Sequence, residues 1–126
     1  MLLSEIEKYY YLHDSALERV ARDKEKQTAT FTVELCCWMQ PGYKKGDPEN
    51  ELIQFTFWGV DSIKSDIPSG SAVSLSILSC ESPEEGALIF WLVEDRTQEF
   101  YSISISAKSV EVRKPCGPVL REDELK

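Results

Sequence analysis

The stretch from Gly86 to Ala107, GALIFWLVEDRTQEFYSISISA, limits the folds open to this chain more than any other. Leu88 to Val93 is an unbroken apolar run, after which Tyr101, Ile103 and Ile105 alternate with Ser102, Ser104 and Ser106. Strict alternation is what a strand with one wet face requires, because successive side chains leave opposite faces. The continuous run predicts a strand covered on both sides. With the polar segment Glu94 to Gln98 between them, the two runs read as a β-hairpin.

The same periodicity recurs upstream. Thr28 to Met39 alternates, with Phe31, Val33, Leu35, Cys37 and Met39 on one face and Thr30, Thr32, Glu34, Cys36 and Trp38 on the other. Leu52 to Val60 places Ile53, Phe55 and Phe57 opposite Trp58, and Ala72 to Cys80 sets Val73, Leu75 and Ile77 against serines. Ala16 to Arg22 leads into the polar hairpin loop Asp23 to Gln27, and Asp61 to Gly70 reads as an irregular edge segment. Pro68-Ser69-Gly70 marks a turn. After Ile105 the apolar phase slips from odd to even positions, Val110 and Val112. An unbroken strand would then turn its core face outward, so a bulge or break is expected at Lys108-Ser109.

At the N-terminus, Leu2, Leu3, Ile6, Tyr9 and Tyr10 recur at helical spacing, and Ser4 to Glu7 fits a capping box. The expected fold is mostly β (α+β). It is an antiparallel meander of six to seven strands, a curled sheet or small sandwich, with one short N-terminal helix. Residues 1–126 form one domain, comprising a helix at 1–12, a β domain at 15–113 and a loosely ordered acidic tail at 114–126.

Charge narrows the partners. With 14 Lys and Arg against 22 Asp and Glu, the formal net charge is −8. Such a field repels phosphate backbones, which argues against nucleic acid, and speeds encounter with a basic protein. Met1-Leu2-Leu3 is followed at once by Ser4, Glu5 and Glu7, so no secretory leader is read, and no apolar run reaches the ~20 residues that span a bilayer. A cytoplasmic location follows from both. Cys36, Cys37, Cys80 and Cys116 lack the paired spacing of a zinc site and read as free thiols, so neither metal nor cofactor is expected.

The residues able to carry function are few. His13, the one histidine, sits beside Asp14 and Ser15. Three consecutive residues diverge along the backbone, so they cannot form a converging triad. A capped turn with a partly buried His13 competes with a ligand-contacting His13 and Asp14. Trp38, Trp58 and Trp91 offer either a second core layer or an exposed aromatic patch of the kind that anchors protein partners. Glu81/Glu84/Glu85, Glu94/Asp95 and Glu122/Asp123/Glu124 fall in loops or the tail and read as solvated charge. No catalytic residue is assigned.

Leu12-His13-Asp14-Ser15-Ala16-Leu17, Phe55-Thr56-Phe57-Trp58-Gly59-Val60, Ile103-Ser104-Ile105-Ser106-Ala107 and Val110-Glu111-Val112 resemble a group of small bacterial proteins that open with a His-Asp-Ser or His-Asp-Ala turn. Some of these are similar to immunity protein 50. The resemblance implies a cytosolic bacterial protein that neutralises a toxin by binding it. Three expectations result: a non-enzymatic binding module meeting a basic partner, a ligand binder or enzyme with a pocket near His13 and Tyr10-Tyr11, or a homo-oligomer pairing through the Ala72–Cys80 strand.

Overall fold

The computed structural model describes residues 1–68 and 74–113. In chain order these form α1 (Ser4–Tyr9), β1 (Ala16–Asp23), β2 (Thr28–Cys36), a 3-10 turn (Cys37–Met39), β3 (Asn50–Trp58), β4 (Ser62–Ser65), β5 (Leu75–Glu81), β6 (Ala87–Glu94), β7 (Phe100–Ser106) and β8 (Ser109–Arg113). The mostly β class and the short N-terminal helix are as expected. The expected turn at 68–70, the start of the Ala72–Cys80 strand, Cys116 and the acidic tail lie wholly or partly outside the described residues.

Two expectations change. The described strands number eight, and their order, β4-β7-β6-β5-β1-β2-β3-β8, is not a plain meander. β1-β2-β3 and β5-β6-β7 are meanders, but β1 also pairs with β5, β3 with β8 and β4 with β7, all antiparallel. These three pairings join segments distant in sequence, and alternation carries no information about them.

Alternation does specify the core. Phe31 and Val33 of β2, Phe55 and Phe57 of β3, Leu88, Phe90 and Leu92 of β6, and Ile103 and Ile105 of β7 are all buried in one cluster. Phe31 meets Phe57 at 5.0 Å and Phe90 at 5.2 Å between ring centroids. In a flat sheet β2 and β6, separated by β1 and β5, would stand about 14 Å apart. The contact therefore requires that the sheet, open in its strand order, be folded over so that its two halves face each other.

Chain continuity carries the sheet round the fold. β3 runs into β4 and β7 into β8 at one corner, where the Lys108 N–H donates to the Trp58 carbonyl (2.9 Å) and the Asp61 N–H to the Ser106 carbonyl (2.8 Å). Gly59 turns that corner at φ 63°, and a Cβ there would stand 2.8 Å from the Lys108 side chain. Only glycine meets both conditions without strain. The phase slip after Ile105 is this corner: Ala107 and Lys108 separate β7 from β8, and Val110 is buried in the new phase.

Three local readings are corrected. The helix covers Ser4–Tyr9 rather than 1–12, and Ser4 makes no side-chain cap. Glu5 instead accepts the Leu2 N–H (2.7 Å), while the Glu7 carboxylate accepts the Ser82 N–H (2.8 Å), tying α1 to the turn before β6. β2 stops at Cys36, so Trp38 belongs to a 3-10 turn and not to a strand face. β6 is covered on one side only: Leu88, Phe90 and Leu92 are fully buried, but Trp91 between them is 42% exposed.

Candidate functional site

The segment Leu12–Ser15 is a joint between the two halves of the sheet. Asp14 takes a left-handed conformation (φ 67°), which a short polar side chain tolerates, and the turn closes with the Ser15 N–H on the Leu12 carbonyl (3.0 Å). Its outer groups bind β5: the Asp14 N–H donates to the Ile77 carbonyl (2.9 Å) and the Ile77 N–H to the Ser15 carbonyl (2.7 Å). Ser15 is fully buried, and its hydroxyl accepts the Cys36 N–H at the end of β2 (2.9 Å). His13 Nδ1–H donates to the Leu78 carbonyl (2.8 Å), which fixes the tautomer because a carbonyl can only accept. Nε2 lies 3.5 Å from Asp14 Oδ1. The turn explains its own residues structurally, and with β1 it covers the edge of β5 from Leu75 to Leu78, opposite the edge that pairs with β6.

Beside the joint, α1 runs out through Tyr9-Tyr10-Tyr11 along the 3-10 turn. Gln40 clamps the two together. Its Oε1 accepts the Tyr11 N–H (2.9 Å), and its Nε2 donates to the carbonyls of Tyr11 (2.6 Å) and Cys36 (3.0 Å). The amide thereby completes backbone groups that would otherwise lack partners. Tyr10 stands edge-on to Phe55 at 5.7 Å, an arrangement that fixes its ring.

Between these elements and the loop to β3 lies a cavity of about 440 Å³. Tyr9, Tyr10 and Tyr43 line it with Gln40, and Asp47 and Glu51 bring carboxylates to it. Tyr43 is braced by its hydroxyl, which donates to the Asp47 carbonyl (3.1 Å), and one Asp47 carboxylate oxygen accepts the Lys44 N–H (3.0 Å). Desolvation and then the carboxylates of Glu49 and Asp47 push the Tyr43 phenol up, so it remains a neutral donor. The lining is mostly apolar and aromatic, with two acidic residues in it.

A second cavity, about 270 Å³, lies on the other side of Tyr10 and contains His13, Tyr11, Glu7 and Cys80. Burial, reinforced by Glu7 and Glu81, pushes the Cys80 thiol up to about 12. It is therefore a thiol and not a thiolate at neutral pH, and a poor nucleophile. Burial and then the Asp14 charge raise the Cys36 thiol as well. Cys36, Cys37 and Cys80 are free thiols, and among the described residues no group of three or more His, Cys, Asp or Glu is placed to hold a metal ion.

The expected site residues do not converge. His13 borders the smaller cavity, Asp14 does not line it, and Trp38 sits in the neighbouring 3-10 turn, 53% exposed. Trp58 and Trp91, 43% and 42% exposed, lie on the outer faces of β3 and β6. Their indole N–H groups donate to Glu111 (3.2 Å) and Glu81 (3.1 Å) respectively. Neither a shared core layer nor a single aromatic patch results: among the described residues no ring contact joins two tryptophans. Sequence reading missed Tyr9, Tyr43, Gln40 and Asp47 as one site. The Tyr9-Tyr10-Tyr11 run was its visible signal.

Glu94 is the other departure. Expected in a solvated loop, it is 2% exposed and accepts N–H groups from Ser74 (3.1 Å), Arg96 (3.1 Å) and Thr97 (3.2 Å), with the Arg96 guanidinium at 3.6 Å. Burial alone would raise its pKa, but these donors outweigh burial and hold the carboxyl below its ordinary range. Asp95 beside it accepts the hydroxyls of Ser74 (2.8 Å) and Ser76 (2.6 Å).

Comparison of the sequence with family models, and of sequence and fold with curated proteins and solved structures, finds no match. Among the described residues no helix is long and apolar enough to cross a membrane.

Proposed function

We propose that this chain is a non-enzymatic protein-binding module whose acidic surface meets a basic partner at the tyrosine-lined end of the sheet. The observation that carries the reading is the 440 Å³ cavity, where three tyrosines and two carboxylates meet on a chain of net charge −8. Partly exposed tyrosines supply large contact area at small entropic cost, and complementary charge sets encounter rate and orientation. The more specific form, a cytosolic bacterial immunity-type protein neutralising a basic toxin domain, draws its support from the His13-Asp14-Ser15 resemblance.

Affinity capture from the producing cells tests the reading, with washes at about 0.05 M and about 0.5 M salt, which shorten the screening length roughly threefold. One stoichiometric basic protein released by the higher salt is the expected result. A partnerless chain at low salt would contradict it. The 270 Å³ cavity beside His13 favours a second reading, a small-ligand binder. A thermal-shift screen in which a hit loses its effect in His13→Ala, but not in Tyr43→Ala, would select that reading over the first.

A further inference from the structure

We infer that the tyrosine-lined cavity is an anchor pocket for one arginine side chain of the partner, the guanidinium lying against the tyrosine rings with Asp47 and Glu51 at its edge. This rests on the binding-module reading and makes it specific. The walls are apolar and aromatic, so they favour a ligand with a long hydrocarbon stem. The carboxylates demand that the same ligand end in positive charge. A guanidinium satisfies both better than an ammonium, being planar, weakly hydrated and able to stack on a ring while donating in its own plane to carboxylates.

Preorganisation distinguishes this pocket from other acidic regions of the surface. Tyr10 is fixed by Phe55, Tyr43 by the Asp47 carbonyl, and Gln40 by three hydrogen bonds to backbone. These three side chains have little freedom left to lose when a ligand enters. The chain also shows the attraction at work: Lys8 Nζ lies 5.2 Å from the centre of the Tyr9 ring. Lys44 and Lys45 belong to the same loop, are exposed, and do not line the cavity.

The pocket separates from Glu94 and Asp95 on the same physical ground. Glu94 accepts three backbone N–H groups of this chain and Asp95 two hydroxyls, whereas Asp47 accepts the Lys44 N–H. An incoming cation would gain less there.

The test is an amide-shift titration of the full chain with acetyl-Gly-Arg-Gly-amide, its lysine counterpart and its citrulline counterpart, which keeps the shape but not the charge. The inference predicts saturable shifts confined to residues 9–11 and 40–51. Binding should be several-fold weaker for lysine and at least roughly tenfold weaker for citrulline. Tyr43→Ala and Asp47→Asn should abolish it, and Tyr43→Phe should retain it, which separates loss of the ring from loss of fold. Equal binding of citrulline, shifts centred on residues 94–99, or no shift at about 10 mM peptide would each overturn the inference. A basic partner captured equally well by wild type and Asp47→Asn would overturn this pocket and leave the binding-module reading standing. Peptide binding without any basic partner would do the reverse.

Discussion

Two acidic loops of this chain look alike in sequence and do opposite work. At the turn from β6 to β7, Glu94, the last residue of β6, is turned inward, and the exposed Asp95 beside it takes two serine hydroxyls. Asp47, which accepts the Lys44 N–H, and Glu51 at the start of β3 line a cavity. Glu94 accepts the Ser74, Arg96 and Thr97 N–H groups, and Asp95 takes the hydroxyls of Ser74 and Ser76. The loop is a latch that pins the start of β5 to the end of β6. At the other loop, Tyr43 and Asp47 brace each other and leave a space lined by rings. A carboxylate in a loop is thus classified by what donates to it, and charge pattern alone does not decide.

The comparison can be broken most severely at Glu94. Glu94→Ala removes the buried carboxylate that three part-buried N–H groups share, and should lower the melting temperature more than Ser15→Ala or His13→Ala. Glu94→Gln should fall less and flatten the acid limb of stability. Because the folded pKa of Glu94 lies below the ordinary value of 4.5, the stability it lends is complete above that value and is lost as pH falls through the lowered one. Melting curves at pH 7 and in the acid range check this: the gap between wild type and Glu94→Gln should narrow on acidification. A gap that widened would reverse the assignment.

Ser15→Ala comes next. It strips the acceptor from the buried Cys36 N–H and should cost about 1–3 kcal/mol, read from denaturant unfolding. His13→Ala, losing one bond to the Leu78 carbonyl at a half-buried site, should cost about 1 kcal/mol. Both would confirm that the His13-Asp14-Ser15 turn is a joint. Asp47→Asn should change stability by no more than about 0.5 kcal/mol while abolishing partner binding. Trp91→Phe, which removes one exposed indole bond to Glu81, should leave both stability and binding nearly unchanged.

The same contrast explains what was legible in the sequence. Alternation gave the core faces of β2, β3 and β7 correctly, because side-chain direction is a local property of a strand. The phase slip after Ile105 located the corner before any coordinates, because a core face cannot switch sides without a break. What stayed hidden was set by distant partners. Glu7 looked like half of a capping box until Ser82, 75 residues away, took it. Gln40 clamps Tyr11 across 29 residues, and Glu94 meets Ser74 across 20. The run Leu88–Val93 looked covered on both sides because Trp91 is as apolar as its neighbours, yet its ring faces outward toward Glu81.

Hydrogen exchange of the full chain with and without an excess of hexa-arginine tests the central claim most directly, since that probe is drawn to every acidic surface the chain offers. If the tyrosine-lined end is a built site and Glu94-Asp95 a closed latch, added protection concentrates at residues 9–11 and 37–51 and stays absent at 94–99. Protection spread evenly over the acidic loops, or strongest at 94–99, would contradict the account and reduce the chain's recognition to net charge.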